Sequence, residues 1–434
     1  MVCPDLLGRL RPAFRDCANQ RLCVAYSGGL DSTVLLHLLA RLASEAGFSL
    51  SAAHVHHGLS VHADAWAAHC EQACVQLGVP LQICRVVVRL DGKGLEAAAR
   101  TARHAALAQL EADWIMLAHH ADDQAETLLH RLIRGSGVAG AAAMREQDAA
   151  RRLWRPLLAA TRAELLAWAQ THDLKWVEDD SNVDEGLTRN FLRHRILAPL
   201  TERFPEASAN LRRATQHFAE AADLLQELAL ADAAAVRLGE AGARCRLKAL
   251  SAARERNLLR YWIAQAGEMA PGTVRLESLR QAMDGESAVR WLHGALAVCA
   301  YRDRLWLEAA ECSRPEVVEW RGEAALPWGD GFLFFTPSSG RAALRLDPGD
   351  ACLQIKLRRG GERMRLEEGR PTRLFKQLCQ ENAIPPWWRS QLPLLWQGDE
   401  LIWIGGVGAA AGRRAAAGET GWQIEWCGPD GLRR

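Results

Sequence analysis

A pair of glycines between two strongly patterned stretches dictates how the first part of the chain folds. Residues 22–26 are apolar and β-prone, and residues 33–39 are good helix formers, so strand, turn and helix are predicted in that order. The turn reads Ser27-Gly28-Gly29-Leu30-Asp31-Ser32. Adjacent glycines allow a positive φ and a close backbone approach, and the free N–H groups of a helix start attract an anion. No lysine follows as in a Walker loop, so the sequence predicts another kind of phosphate-binding loop.

The first third of the chain alternates strand-like and helix-like segments. Such alternation is typical of an α/β doubly wound parallel sheet, whose ligands bind beyond the carboxyl ends of the strands. Polar residues at those ends are therefore the candidates for function. The predicted strands are Leu22–Tyr26, Leu50–Val55, Leu81–Val88 and Trp114–Ala118, and the predicted helices are Thr33–Ala46, Ala63–Leu77 and Leu95–Leu110.

Three histidines close the second predicted strand, in the order His54, His56 and His57. They fit two interpretations, a zinc site or the wall of a nucleotide pocket. Structural zinc sites need four ligands at defined spacing, and that spacing is missing here. The position therefore favours a pocket wall, with His54 against the nucleotide.

The fourth predicted strand leads into His119-His120-Ala121-Asp122-Asp123 and a helix. Asp123, with Glu126 three residues later, has the pattern of a capping box, so a structural and a functional role are both open for these two residues. Asp122, His119 and His120 exceed what a cap requires. Carboxylates at a strand end beside a phosphate loop suit Mg²⁺ or an incoming amine, so a metal role is predicted for Asp31 and Asp122.

Paired arginines follow in two predicted helices. Arg100 and Arg103 are three residues apart and hence on one helix face, which fits either a solvated stripe or a clamp on phosphates. An acidic loop, Glu178 to Asn182, precedes the basic run Arg189, Asn190 and Arg193, which fits either a surface charge pairing or closure of a site.

These motifs together resemble the PP-loop ATP pyrophosphatases, and within them the lysidine synthetases. The resemblance rests on SGGLDS at residues 27–32, HVHHG at 54–58, AHHADDQAETLL at 118–129, RN-xx-R at 189–193, LRRGGERMRL at 357–366 and IPPWWR at 384–389. It departs at His104, where tyrosine is expected, and at Phe375-Lys376, where two lysines are expected. In the resemblance, residues 27–32, His54 and Arg100 bind ATP, and Arg103, Asp123, Glu126, Arg189, Asn190 and Arg193 bind substrate.

The resemblance implies three domains: a catalytic domain at 1–204, a helical connector and substrate-binding domain at 205–321, and a small α+β tRNA-binding domain at 350–434. The last domain opens with Arg358, Arg359 and Arg363, predicted on a strand-turn-strand, followed by Lys376 and by Trp387, Trp388 and Arg389. Basic side chains with aromatic neighbours suit an RNA backbone and exposed bases, whereas a solvated basic face is the alternative. Residues 323–350 are expected to be a connection.

Composition excludes several other classes. The 434 residues have 49% hydrophobic content and a net charge of +1, which indicates a globular chain with no overall attraction to nucleic acid. No apolar run is long enough to span a bilayer and no signal segment is evident, so a cytoplasmic protein without membrane partners is expected. The 12 cysteines are scattered, with no C-x-x-C spacing, and are expected to be free thiols.

The activity implied is ATP-dependent attachment of free L-lysine to the wobble cytidine of tRNA(Ile) with a CAU anticodon. ATP and Mg²⁺ are the implied cofactors, with Asp31, Asp122, His119 and His120 at the reacting groups. Two alternatives stay open: a PP-loop tRNA 2-thiolase, which needs reactive cysteines near the loop, and a non-catalytic ATP-binding RNA scaffold. The oligomeric state is left open, a homodimer being one option.

Overall fold

The computed structural model describes residues 4–89, 94–178, 186, 188–285, 287–339, 343–346, 353–416 and 418–428. The chain divides into two compact units, Met1–Leu224 and Leu225–Arg434. In the described residues, no helix combines the length and apolar character needed to cross a bilayer. The three domain boundaries expected from the sequence stay predictions.

The first unit is built on a sheet of six described strands in the order β3-β2-β1-β4-β6-β5. The strands are β1 Arg21–Ala25, β2 Ser49–His56, β3 Leu81–Arg85, β4 Trp114–Met116, β5 Gln147–Asp148 and β6 Leu153–Trp154. All neighbours run parallel except β5 and β6. The chain order reverses direction between β1 and β4, which is where a doubly wound sheet binds its ligand.

Helices cover both faces of this sheet, because alternate residues of each strand point to opposite faces. Leu22 and Val24 of β1 pack into one buried cluster, and Cys23 packs into the other. The helices are α1 Leu6–Leu10, α2 Leu30–Ala46, α3 Ala63–Leu77, α4 Leu95–Ala108, α5 Ala121–Ile133, α6 Val138–Ala141, α7 Arg162–Thr171, α8 Thr188–Phe191 and α9 Ala198–Arg203, with short 3₁₀ segments at Arg11–Phe14 and Ala149–Arg151 and a π-helical segment at Leu192–Leu197. The predicted α/β doubly wound fold is confirmed.

Predicted and observed elements of the first third differ mainly at their ends. Strand β3 stops at Arg85 rather than Val88, and α2 begins at Leu30 rather than Thr33. The early start of α2 places the glycine pair directly against the first helical turn. A long helix, α10 Ala207–Val236, forms at the start of the segment that was expected to be a helical connector.

The second unit begins with helices and continues with antiparallel strands. Its helices are α11 Ala243–Lys248, α12 Ala252–Gln265, α13 Thr273–Asp284 and α14 Phe375–Glu381. Its strands are β7 Val289–His293, β8 Leu296–Tyr301, β9 Arg304–Ala309, β10 Val318–Trp320, β11 Ala325–Trp328, β12 Gly331–Ser338, β13 Leu353–Lys356, β14 Arg363–Met364, β15 Arg373–Leu374, β16 Leu394–Gln397, β17 Glu400–Ile404, β18 Gly408–Ala409 and β19 Gly421–Cys427.

Two expectations for this unit are wrong, and a third stays a prediction. The stretch from 323 to 350 is more than a connection, because β12 pairs with β19 along its whole length. The strand-turn-strand predicted around Arg358 does not form, since β13 pairs with β10 and β16 while Arg363 belongs to β14. The indole N–H groups of Trp387 and Trp388 both donate to Glu308 Oε1, at 3.0 and 2.8 Å, and the contact of these rings with RNA bases stays a prediction.

Candidate functional site

The glycine loop lies between β1 and α2 and is held by its own serines. Ser27 Oγ lies 3.0 Å from Ser32 Oγ, and Ser32 Oγ donates to the Gly29 carbonyl at 3.1 Å. Gly28 has φ +84°, and a Cβ there would lie 3.0 Å from Cys70 Sγ, so the turn requires glycine. The Val177 N–H donates to the Gly28 carbonyl at 2.9 Å, which fixes the start of the acidic loop against the glycines. Residues 179–182 of that loop lie outside the described residues.

A cavity of about 1750 Å³ opens beside this loop at the carboxyl ends of the strands. It brings together the predicted site residues Ser27, Gly29, Asp31, Ser32, His54, Arg100, Arg103, His119, Asp123, Arg189 and Arg193. Gly28 and Leu30 do not line it, since Gly28 turns away toward Val177 and the Leu30 side chain belongs to the core. His120, Asp122, Glu126 and Asn190 are not among the residues that line it.

His120 connects three carboxylates. Its Nε2 lies 3.6 Å from Asp31 Oδ2 and 3.5 Å from Asp123 Oδ2, and its Nδ1 lies 3.4 Å from Asp122 Oδ2. Burial alone would lower the pKa of His120, but these carboxylates together raise it to about 10. His120 therefore carries a proton at neutral pH. It can donate a proton or hold carboxylates in place, but it is no general base there.

His119, one residue earlier, has the opposite character. Burial lowers its pKa to about 3, more than the nearby Asp123 carboxylate can offset, so the ring is neutral. Its Nδ1 atom is buried and meets no hydrogen-bond partner in the described part of the chain. His54 is also buried, its pKa is lowered by burial, and its Nδ1 lies 3.0 Å from the Tyr26 carbonyl. Both rings offer the cavity uncharged polar walls.

The capping box of α5 lies three residues earlier than predicted. His120 is the N-cap residue, and its backbone N–H donates to Asp123 Oδ2 at 2.9 Å. Asp123 is therefore the third residue of the helix rather than its cap. Glu126 is left to another role: it is buried and accepts from Arg189 Nε at 2.7 Å and Arg193 Nε at 2.6 Å.

This pairing shows where the basic helix predicted from 188 to 195 is anchored. Arg189 also donates to Asp123 Oδ1 at 2.7 Å, so two buried carboxylates of α5 face two arginines. Asn190 between them is buried. The substrate-binding role predicted for these five residues stays a prediction. The observed partners of Arg189 and Arg193 are the carboxylates of Asp123 and Glu126.

Asp122 is held at the junction of α5 and α7. The Arg162 backbone N–H donates to Asp122 Oδ2 at 2.9 Å, and the bond to His120 lowers the pKa of the Asp122 carboxyl despite its partial burial. The carboxylate is ionised at neutral pH. Asp31 differs, because its Oδ1 is buried and has no hydrogen-bond partner among the described residues.

Sequence reasoning missed much of the basic lining of the cavity. Five further arginines contribute, namely Arg131, Arg145, Arg151, Arg152 and Arg155. Arg155 directly follows β6 and obeys the same strand-end rule, but a two-residue strand gives no readable pattern. Arg145 is presented by a loop that Gln124 braces, with bonds of 2.8 and 2.9 Å to the Met144 backbone. Only proximity in the fold brings these residues to the site.

In the described residues, this site has neither a cluster of metal ligands nor a reactive thiol. The described residues contain no group of three or more His, Cys, Asp or Glu side chains placed to hold a metal ion. Among the described cysteines, Cys70 and Cys23 are nearest to the loop, and both are free. Burial raises the pKa of Cys70 to about 12 and also raises that of Cys23, so neither thiol is poised as a nucleophile.

The four basic residues predicted for the C-terminal surface are all exposed. The Arg358 guanidinium lies 5.4 Å above the Phe375 ring, and the backbone N–H of Arg359 donates to the buried Glu362 carboxylate, as does that of Gly360 at 2.7 Å. Arg363 lies on β14, and Lys376 lies in the first turn of α14. In the described part of the chain, none of the four makes an ion pair, so their charges face solvent.

Comparison with known proteins agrees with these features. A PP-loop domain model matches residues 5–200, a TilS substrate binding domain model matches 243–306, and a TilS substrate C-terminal domain model matches 353–426. A curated tRNA(Ile)-lysidine synthase of Azoarcus sp. (strain BH72) is 47% identical over 94% of this chain and 91% of its own. One of Aromatoleum aromaticum is 49% identical over 94% and 97%.

A solved tRNA thiolase of Methanococcus maripaludis is far more distant. It is 18% identical, covers 50% of this chain and 78% of its own, and has a TM-score of 0.43. It has no weight against relatives that match nearly the full length of both chains. The chain belongs to the tRNA(Ile)-lysidine synthase family.

Proposed function

We propose that this enzyme uses ATP to join the ε-amine of free L-lysine to carbon 2 of the wobble cytidine in tRNA(Ile) with a CAU anticodon. The observation that carries the proposal is that residues of the Ser27–Ser32 loop, His119 and the α4 residues Arg100 and Arg103 line the same cavity. A phosphate loop alone indicates only nucleotide binding. A basic wall around a cavity of this size supports RNA beside the nucleotide.

In the first step, the 2-carbonyl oxygen of the cytidine attacks the α-phosphate of ATP and pyrophosphate leaves. Negative charge moves onto the leaving phosphate oxygens, so positioned donors and cations lower the barrier. The backbone N–H groups at the start of α2 and the Arg100 guanidinium are placed to supply them. Arg103, whose pKa is lowered by burial and then by Arg100 and Arg189, adds positive potential to the same wall.

In the second step, the lysine amine displaces AMP from the activated cytidine. The ammonium, with a pKa of ~10.4 in water, must lose a proton before it attacks. Asp122 has a lowered pKa and is a weak base, so its charge suits orientation of the ammonium better than proton removal. His120 already holds a proton, which leaves Asp122 as the residue that attracts the amine.

Asp31 is the residue best suited to Mg²⁺. Its unpartnered Oδ1 is the kind of hard oxygen ligand that Mg²⁺ takes from a protein, with water and phosphate oxygens completing the shell. Asp122 fits less well, because its Oδ2 already accepts the Arg162 N–H. When bound, the ion would neutralise charge on the phosphate oxygens.

The two alternatives lack support of this kind. A thiolase needs a cysteine with a low pKa, whereas burial raises the pKa values of Cys23 and Cys70. A non-catalytic scaffold gives no reason for the carboxyl groups of Asp31, Asp122 and Asp123 to surround His120.

The test is an incubation of the protein with labelled lysine, ATP and unmodified tRNA(Ile). We expect label to enter the RNA only when ATP and protein are both present, and to be absent when the wobble base is uridine. Transfer of sulfur instead of lysine would support the thiolase, and ATP binding without any product would support the scaffold.

A further inference from the structure

Arg155 is a buried cationic residue that lines the cavity. It is far from the glycine loop in the sequence. It follows β6, and only 9% of the residue is exposed. Its Nη1 donates to the Arg145 carbonyl at 2.8 Å, and its backbone N–H donates to the Glu146 carbonyl at 2.8 Å. Its Nε is buried and has no hydrogen-bond partner among the residues that the structure describes. A buried guanidinium with an unused donor lacks a compensating group.

The groups around Arg155 are mostly of the same charge. Burial lowers the pKa of Arg155, and Arg100, Arg151 and Arg131 lower it further, whereas the Asp148 carboxylate acts in the opposite direction. Asp148 is shared, because it accepts from the Arg151 backbone N–H at 3.3 Å and from Arg151 Nη1 at 3.4 Å. Arg131 Nη1 is committed to the carbonyls of Gly140 and Ala143, which fixes its position. The wall therefore has a net positive charge.

The pKa of His104 on α4 is affected by the same positive charges. Burial lowers its pKa, and then Arg103, Arg100, Arg151 and Arg155 lower it further. A bound polyanion would offset the repulsion between these arginines. It is therefore the kind of ligand that best explains why they lie together. The cavity has room for one in addition to a nucleotide, since about 1750 Å³ exceeds the ~300–1,000 Å³ of ordinary ligand sites.

We propose that Arg131, Arg151 and Arg155 form a second phosphate subsite, which binds a phosphodiester of the RNA strand while the Ser27–Ser32 loop binds the triphosphate of ATP. This inference rests on the proposed function, because RNA is the carrier of the phosphate. The arginine fork suits the two oxygens of a phosphodiester, and the unused Nε of Arg155 is one donor to them.

The experiment uses the full chain and three variants. Arg151→Ala removes an exposed charge and should fold normally, Arg155→Lys keeps the charge but loses the planar fork, and Arg41→Ala removes an exposed arginine of α2 outside the cavity as a control. Binding of a CAU anticodon stem–loop RNA is measured over a range of salt without ATP. Binding of ATP and of pyrophosphate is measured without RNA, and circular dichroism checks folding.

We expect Arg151→Ala to lower the slope of log affinity against log salt by up to about one unit. Arg155→Lys should weaken RNA binding about tenfold with a smaller change of slope, because the charge remains. Arg41→Ala should match the wild type, and ATP affinity should stay unchanged in all three.

Weaker binding of ATP or pyrophosphate with unchanged RNA binding would overturn the RNA assignment and give the subsite to the nucleotide. Folded variants with no change in any ligand would overturn the subsite itself. A wild-type protein that binds no RNA would instead contradict the proposed function, and the ATP and pyrophosphate titrations would then decide whether the arginines bind phosphate.

Discussion

The Nε2 atom of His120 lies 3.6 Å from Oδ2 of Asp31, so an ion pair joins the end of β4 to the phosphate loop after β1. The two residues are far apart in sequence and meet at the reversal of strand order. His120 is almost fully buried and Asp31 is half-buried. A change at either residue should therefore affect both the proposed nucleotide pocket and the proposed lysine site.

Replacing Asp31 with asparagine should abolish nucleotide chemistry and spare RNA binding. The substitution keeps the shape but removes the charge that pairs with His120 and that we propose as a ligand of Mg²⁺. We expect tRNA-dependent pyrophosphate release to fall by roughly 10²-fold or more, while tRNA affinity stays within a few-fold. Asp16→Asn, on the surface, serves as the control. Near-normal pyrophosphate release would mean that Asp31 is only a turn residue.

The stability of the first unit should decrease at alkaline pH because of His120. Folding raises the pKa of His120 from 6.5 to about 10, so the protonated ring stabilises the folded state. This stabilisation is fully present below pH 6.5 and is lost as pH rises through about 10. The loss should amount to a few kcal/mol. Chemical denaturation between pH 7 and 10 measures it in wild type and His120→Gln. A variant whose stability falls as steeply as that of the wild type would assign the loss to other groups.

Asp122→Asn should impair the use of lysine. Asparagine can still accept the Arg162 N–H, so the junction of α5 and α7 should survive. Loss of the charge should reduce turnover by roughly 10²-fold if the carboxylate acts on the amine. Turnover is measured over a range of lysine concentrations, with pyrophosphate release from tRNA and ATP followed separately. Unchanged turnover at every lysine concentration would refute the role.

Glu126→Gln should destabilise the protein. The buried carboxylate accepts from Arg189 and Arg193, so its neutralisation leaves two cations near one remaining carboxylate, Asp123. Because the arginines are partly exposed, we expect the free energy of unfolding to fall by about 2–4 kcal/mol. Denaturant titration at pH 7 checks this value, with Glu220→Gln as an exposed control. A change below about 0.5 kcal/mol would show that solvent compensates the arginines.

Alanine at Arg358, Arg359, Arg363 or Lys376 should weaken tRNA binding through lost counterion release. Each change should lower the slope of log affinity against log salt by up to about one unit and leave chemistry on bound tRNA intact. Point substitutions are preferable to a truncation near residue 342, which would leave β12 without its partner β19. Slopes equal to that of the wild type in all four variants would mean that this surface is only solvated.

The sequence predicted the parts of the site that local patterns control. The glycine loop and the strand ends at His54 and His119 were found because strand, turn and helix each leave a readable signature. The Arg155 wall was missed because β6 is two residues long. The partners of Trp387 and Trp388 were missed because Glu308 lies almost 80 residues away, and no local pattern indicates which carboxylate a buried indole N–H will meet.

The most direct test of the account is the stoichiometry of the complete reaction. With tRNA(Ile), ATP and lysine present, the account predicts one pyrophosphate and one AMP released for each lysine attached. Without tRNA it predicts no pyrophosphate release, because the attacking oxygen belongs to the cytidine. Pyrophosphate release that needs lysine but not tRNA would contradict it, since ATP would then activate the amino acid rather than the RNA base.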